Sequence, residues 1–119
     1  MSDDPQTPES TDAADPKAIY KEGFSLFVKG DVEGAIARYH DALEADGALA
    51  IAWNGLSMAL AKKGDLEAAV EAAEKLVELE PDDPLSHTNL SRILMQKGMI
   101  PEAEDARAKA MGLQMKQGG

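Results

Sequence analysis

Three glycines at a fixed interval constrain this sequence more than any other feature. Gly30, Gly64 and Gly98 follow one another at intervals of 34 residues, inside the similar segments VKGDVEGA, AKKGDLEAA and MQKGMIPEA. Apolar and small residues keep the same interval around the glycines, at Leu26, Leu60 and Leu94 and at Ala35, Ala69 and Ala103. A period of this length is typical of a supersecondary unit that repeats and stacks on its own copies.

Each unit has the sequence pattern of a helix–turn–helix. Apolar residues recur with a period close to 3.6 on both sides of the glycine, and strong helix formers outnumber β-branched residues. Acidic N-caps are predicted before four of the six helices, at Asp15, Asp31, Asp65 and Asp83. The third unit has Met99 where the others have a capping Asp, so Met99→Asp is expected to stabilise it. Gly47, in a left-handed conformation, and Pro81 are expected to end second helices.

This pattern resembles the tetratricopeptide repeat (TPR) family over about residues 16–115. The second unit carries most of the family signature, at Trp53, Leu56, Ser57, Leu60, Gly64, Ala69, Leu76 and Pro81. The resemblance implies an all-α fold, an α-solenoid of three helix–turn–helix hairpins in a right-handed superhelix. The units are expected at 16–49, 50–83 and 84–115, between a disordered acidic tail at 1–15 and a flexible C-terminus at 116–119.

The resemblance also implies where a partner binds, because the first helices of TPR hairpins line a concave groove. With Ile19, Gly23 and Leu26 facing the hairpin partner, other side chains of the first helices are left for the groove. The expected groove residues are Tyr20, Phe24, Phe27, Ile51, Asn54, Met58, Lys62, Leu85, Arg92 and Met95. The alternative for the aromatic residues is plain packing against the neighbouring first helix.

One known mode of TPR recognition does not fit the sequence. Chaperone-binding members grip a C-terminal carboxylate with Lys, Asn and Arg side chains. The matching positions here hold Tyr20, Phe24, Gly55, Leu85 and Asn89. This carboxylate clamp is therefore absent, and binding to the acidic C-terminal tails of heat-shock chaperones is not expected.

Composition and motifs argue against catalysis and against cofactor or metal binding. The chain has no Cys, no phosphate-cradling glycine loop and no Ser–His–Asp pattern, so neither an enzyme nor a cofactor is expected. Asp82, Asp83 and His87 fall short of a closed metal-ligand set, and Trp53 and His87 share a register that predicts packing. A net charge of −10 disfavours nucleic acid and anionic membrane surfaces. No apolar run is long enough to span a bilayer, and a cytoplasmic location is the simplest expectation.

Two functions remain open at this point. The first is a non-enzymatic adaptor or chaperone-like module that binds an apolar peptide or helix of another protein in the groove. The alternative is a self-assembling scaffold, a homo-oligomer in which the last helix docks on a first helix of another copy. The apolar residues expected to form that contact are Ile100, Ala103, Ala106, Ala110 and Leu113.

Overall fold

The computed structural model describes residues 15–118, and these residues form six α-helices. They are α1 (Pro16–Val28), α2 (Val32–Ala45), α3 (Ala50–Lys63), α4 (Leu66–Leu79), α5 (Pro84–Lys97) and α6 (Ile100–Gly118). Consecutive helices pack against each other, and the first helix of each hairpin also contacts the first helix of the next. No strand occurs between residues 15 and 118. The expected all-α solenoid of three hairpins is confirmed.

The turn inside each hairpin explains the glycine period. Gly30, Gly64 and Gly98 have φ values of 93°, 96° and 90°. Glycine adopts this left-handed conformation with little steric strain because it has no Cβ. Directly after Gly64, the backbone N–H of Asp65 donates to the carbonyl of Leu60 at 2.9 Å, and the other two turns repeat this bond. The turn therefore satisfies carbonyls that the end of the first helix leaves open.

The predicted acidic N-caps are present at all four positions. In the second helices, Asp31 Oδ1 accepts from the Gly34 N–H at 2.9 Å, and Asp65 Oδ1 accepts from the Ala68 N–H at 3.4 Å. Asp15 and Asp83 accept from the N–H groups two residues ahead, each at 3.0 Å. Each bond satisfies one of the donors that a helix N-terminus leaves without a backbone partner.

The loop between α2 and α3 differs from the prediction for Gly47. Helix α2 ends at Ala45, and Asp46 has an extended backbone with φ of −150°. Asp46 Oδ1 accepts from the Ala48 N–H at 3.0 Å, so an aspartate side chain turns the chain without a left-handed residue. The expectation of a left-handed Gly47 is wrong; its carbonyl instead accepts from Trp53 Nε1 at 2.8 Å.

The final helix is longer than the sequence suggested. Helix α6 continues to Gly118, so residues 116–118 are part of this helix. Gln117 Nε2 donates to the carbonyl of Asp82 at 2.7 Å, which ties the last turn to the loop between α4 and α5. Apart from Asp15, the predicted N-terminal tail lies outside the described residues.

Tyr39 is the largest buried side chain at the junction of the first hairpin with the second. The Tyr39 ring is 1% exposed and lies between Gly23 of α1 and Gly55 of α3. A Cβ added at Gly23 would be 2.8 Å from the ring, and one at Gly55 would be 2.7 Å from it. Burial, together with the nearby Tyr20, raises the pKa of Tyr39 to about 12. The phenol is therefore neutral at physiological pH, and its contribution to stability is lost only as the pH rises from about 10 to 12.

The next junction fills the equivalent space in a different way. The position of Tyr39 is taken by Ala73, which is fully buried, while the positions of Gly23 and Gly55 are taken by Ser57 and Asn89. Asn89 Nδ2 donates to Ser57 Oγ at 2.8 Å, and Ser57 Oγ donates to the carbonyl of Asn54 at 2.8 Å. One junction thus combines a large ring with two glycines, and the other combines a small side chain with a hydrogen-bonded polar pair.

The missing cap of α6 gives a prediction. Met99 is at the N-cap position of α6, because its backbone carbonyl accepts from the Ala103 N–H at 2.9 Å. The carbonyls of Asp31 and Asp65 accept the equivalent bonds at the N-termini of α2 and α4. Its side chain is also partly buried against Leu94 and Ala103. Met99→Asp exchanges this packing for a cap, whereas Met99→Ala removes the packing and adds nothing. We expect the Asp variant to exceed the Ala variant by about 0.5–2 kcal/mol in urea unfolding. Equal stabilities would show that α6 does not use position 99 as its cap.

Candidate protein-binding groove

The expected groove residues share one face of α1, α3 and α5. Tyr20, Phe24 and Phe27 follow helical spacing along α1, and the 34-residue period puts the α3 and α5 members in the same register. Five of the ten expected residues are large apolar side chains left exposed, namely Phe24, Ile51, Met58, Leu85 and Met95. Exposed apolar side chains in register on adjacent helices form a continuous surface, which is the usual mark of a binding site.

A first hollow lies at the N-terminal ends of α3 and α5. It has a volume of about 250 Å³ and includes Ile51, Asn54 and Leu85 of the expected set. Leu76 forms an apolar part of its wall, and Ser86 adds a polar one. The Ser86 Oγ lies 2.8 Å from the carbonyls of both Glu80 and Asp83, which holds the wall in place.

Two further hollows lie toward the C-terminal ends of the first helices. The smaller, of about 230 Å³, is lined by Phe27, Met58, Lys62 and Arg92 among others. The larger, of about 500 Å³, lies between α5 and α6. It shares Arg92 with the smaller hollow and includes Met95. Eight of the ten expected residues thus line one of the three hollows.

The remaining two, Tyr20 and Phe24, form an aromatic group at the edge of the groove. Their ring centroids are 6.3 Å apart, and Tyr20 also stacks on Tyr39 at 5.6 Å. Tyr20 is partly buried, and burial raises the pKa of its phenol, whereas Phe24 is 51% exposed. Tyr20 therefore belongs mainly to the core, and Phe24 presents the apolar surface.

Trp53 and His87 have the structural role that their shared register predicts. Trp53 Nε1 donates to the Gly47 carbonyl, and His87 Nε2 lies 2.7 Å from the equivalent carbonyl of Pro81. Because a carbonyl can only accept, His87 Nε2 carries a proton. Asp83 Oδ1 is occupied as the cap of α5. Residues 15–118 contain no cluster of three or more potential metal ligands.

The solenoid has a polar surface at its N-terminal end. Where α3 meets the preceding hairpin it presents Gly55, Leu56 and Ala59, and α5 has Asn89, Leu90 and Ile93 at the equivalent positions. In α1 the same three positions hold the exposed residues Lys21, Glu22 and Ser25. Helix α1 therefore lacks the apolar face that a preceding hairpin would need.

The C-terminal end is polar in the same way. Ile36 and Tyr39 of α2 are buried at the junction with the next hairpin. Their equivalents in α6 are Glu104 and Arg107, which form a salt bridge of 3.3 Å. Of the five residues expected to make α6 adhesive, Ala103, Ala106 and Ala110 are buried within the protein itself, and Leu113 is partly buried; Ile100 is exposed.

The expected groove residues include none from α6, although α6 lines one of the three hollows. Arg107, Met111 and Gln114 line the hollow between α5 and α6. The family pattern places second helices outside the groove, and this excluded them. The signal available was the pair Glu104 and Arg107, which stand at the positions of the buried Ile36 and Tyr39.

Comparison with known proteins establishes the class. Residues 20–84 match the tetratricopeptide repeat family, and residues 60–110 match it again. The first match alone covers more than half of the chain, so the protein belongs to the tetratricopeptide repeat family. No curated protein matches the sequence. Within residues 15–118, no helix is both long and apolar enough to cross a membrane.

Solved structures of similar fold include three kinds of protein. A crystal structure of MamA has a TM-score of 0.84 at 23% identity, with 89% of this chain and 62% of that chain covered. The type III secretion translocator chaperone SycD of Yersinia enterocolitica has 0.79 at 21%, covering 84% and 76%. A chain of the CopN–Scc3 complex has 0.78 at 20%, covering 82% and 58%. This chain thus spans about three fifths of the length of the MamA and CopN–Scc3 chains.

The different burial of the two edge aromatics gives a second prediction. Phe24→Ser removes a half-exposed ring, so the free energy of unfolding should fall by about 1 kcal/mol or less. Tyr20→Ser removes a ring stacked on the core and should cost about 2–4 kcal/mol. Urea unfolding of both variants beside the wild type makes the comparison. If Phe24→Ser also lowers the free energy of unfolding by about 2–4 kcal/mol, Phe24 is a core residue and not part of a free surface.

Proposed function

We propose that this protein is a non-enzymatic adaptor or chaperone-like module that binds an apolar peptide or helix of another protein. The observation that carries the proposal is the row of exposed apolar side chains on α1, α3 and α5. Phe24, Ile51, Met58, Leu85 and Met95 lie on the face that also contains the hollows. Burying such side chains against a partner is favourable by about 25 cal/mol per Å² of apolar surface.

The side chains of the groove suit a helix or an extended segment better than a rigid flat surface. Met58 and Met95 are unbranched and adapt their shape to different apolar partners. The three hollows are spread along the lengths of α3, α5 and α6, so successive apolar side chains of one ligand could each occupy a different hollow. Asn54 and Arg92 provide polar groups beside these apolar positions.

The structural neighbours support a role in protein binding. SycD is described as a translocator chaperone, and the CopN–Scc3 structure is a complex of two proteins. These similarities show a shared fold only. The proposal of an apolar partner comes from the groove residues of this chain. The proposed partner is therefore defined by its apolar chemistry.

The scaffold alternative receives less support from the ends of the solenoid. Lys21 and Glu22 stand at the N-terminal end where an added hairpin would need apolar side chains, and Glu104 and Arg107 stand at the C-terminal end. A polar outer face is how terminal repeats of solenoids stay separate. We therefore favour binding in the groove over end-to-end assembly.

A pair of methionine substitutions tests the proposal. Met58→Ser removes an exposed apolar side chain from the groove, and Met115→Ser removes one that is 75% exposed on α6 and lines none of the three hollows. Both should cost less than about 1 kcal/mol in stability. In pull-downs from the native lysate followed by mass spectrometry, Met58→Ser should lose the partners that the wild type retains, while Met115→Ser should keep them.

The outcome is interpreted together with the size of the protein. Light scattering of the wild type across a 100-fold range of concentration should give one molar mass under the adaptor proposal. Growth of the molar mass with concentration would favour the scaffold. Equal partner recovery by both methionine variants would contradict a binding role for the groove.

A further inference from the structure

The charges of the groove are separated by sign along its length. Lys62 and Arg92 line the 230 Å³ hollow, and Arg92 and Arg107 line the 500 Å³ hollow. No carboxylate lines either of these two hollows, although the chain has 22 acidic and only 12 basic residues. The hollow at the opposite end is lined by Glu80 and Asp83 and by no basic residue. A cationic patch in so acidic a protein calls for an explanation.

Salt bridges among residues 15–118 account for only part of the patch. Arg107 is paired with Glu104, but Lys62 and Arg92 are exposed and make no salt bridge with any residue between 15 and 118. Lys62 lies in the last turn of α3, where a positive charge interacts favourably with the helix dipole. Arg92 lies near the middle of α5, so this explanation does not apply to it.

Lys62 and Arg92 border an apolar position. Phe27 and Met58 line the same hollow as Lys62 and Arg92, and Met58 is 40% exposed. Gln96 Nε2 donates to the carbonyl of Ala61 at 3.2 Å and so links the two helices that form the floor. A ligand that fits this site has an apolar side chain with one or more carboxylates close beside it.

We propose that the groove selects a segment of another protein in which apolar residues are flanked by Asp or Glu. The apolar side chain would pack on Phe27 and Met58, and the carboxylates would lie against Lys62 and Arg92. The acidic residues would thus face the C-terminal ends of the first helices, away from Glu80. This inference rests on the proposed function of the groove and adds the charge of the ligand and its direction. The positions involved differ from those of the carboxylate clamp.

The chain's own residues 1–14 are the rival occupant. They include four acidic residues, Asp3, Asp4, Glu9 and Asp12, and they join the fold at the N-terminus of α1. Fourteen residues can span up to about 45 Å, and α1 is only about 20 Å long, so they could reach Lys62. Met1 is their one large apolar side chain apart from proline, so they have few groups to fill the apolar positions. A ligand from another protein therefore fits better.

Selection from a library tests the inference without a known partner. A phage library of random 16-residue peptides is panned on the full chain, on Lys62→Glu/Arg92→Glu and on Lys109→Glu/Lys116→Glu. The last variant changes the net charge equally but at exposed positions of α6 away from the hollows. The wild type and the α6 control should enrich peptides that combine apolar residues with Asp or Glu, and the groove variant should enrich Lys or Arg instead.

The most enriched peptide then gives affinities by fluorescence anisotropy. Lys62→Ala/Arg92→Ala should weaken its binding by between about 2-fold and 30-fold, the range expected for two exposed ion pairs. The weakening should shrink as salt increases, because screening already reduces the attraction in the wild type. Melting curves of the Lys62/Arg92 variants and of the Lys109/Lys116 control establish that each is folded.

The possible failures are distinguishable from one another. Enrichment of apolar peptides without acidic residues would overturn this inference and leave the proposed function standing. Enrichment of Lys or Arg by the Lys109→Glu/Lys116→Glu control as well would show that net charge alone sets the preference. That result would also overturn this inference. Enrichment only after deletion of residues 1–14 would make that segment the occupant. Failure to enrich any peptide, with or without residues 1–14, would overturn the proposed function itself.

Discussion

The fold depends on how closely consecutive hairpins can approach each other. At the first junction, Tyr39 fills the space that Gly23 and Gly55 leave empty, and neither glycine has room for even one added carbon. At the second, Ala73 leaves space that the hydrogen-bonded pair of Ser57 and Asn89 occupies. Protein interiors are packed at crystal-like density, so each junction must be filled by one combination or the other.

This packing determines which side chains remain for binding. Because small residues face the neighbouring helices, the first helices of successive hairpins come into contact and align their outer faces. Phe24, Ile51 and Met58 are then left exposed without being required for the core. At the two ends of the described solenoid, α1 and α6 carry polar residues such as Glu22 and Glu104 where the inner junctions have apolar ones. The proposed groove is thus an apolar surface that the first helices leave uncovered.

The sequence predicts the repeating parts of the structure well and the unique parts poorly. The glycine period and the capping aspartates act locally, so helix positions, turns and four caps follow from Gly64, Asp31 and their equivalents. The turn at Gly47 was predicted wrongly because the side chain of Asp46 provides a second local solution. The position of Arg107 beside the hollow between α5 and α6 was missed because the family pattern assigns second helices to the outer side, and a repeat pattern does not encode where one unit departs from it. The different burial of Tyr20 and Phe24 was not predicted, because it depends on the packing of Tyr20 against Tyr39 of another helix.

Exchanging one junction for the other tests the central claim most directly. Tyr39→Ala alone should lower the free energy of unfolding by about 3–5 kcal/mol, because the two glycines leave the cavity unfilled. Adding Gly23→Ser and Gly55→Asn reproduces the residues of the second junction, and urea unfolding should then show more than half of that loss recovered. A triple variant no more stable than Tyr39→Ala would contradict the account, because the two junctions would then not be alternative ways of filling the same space.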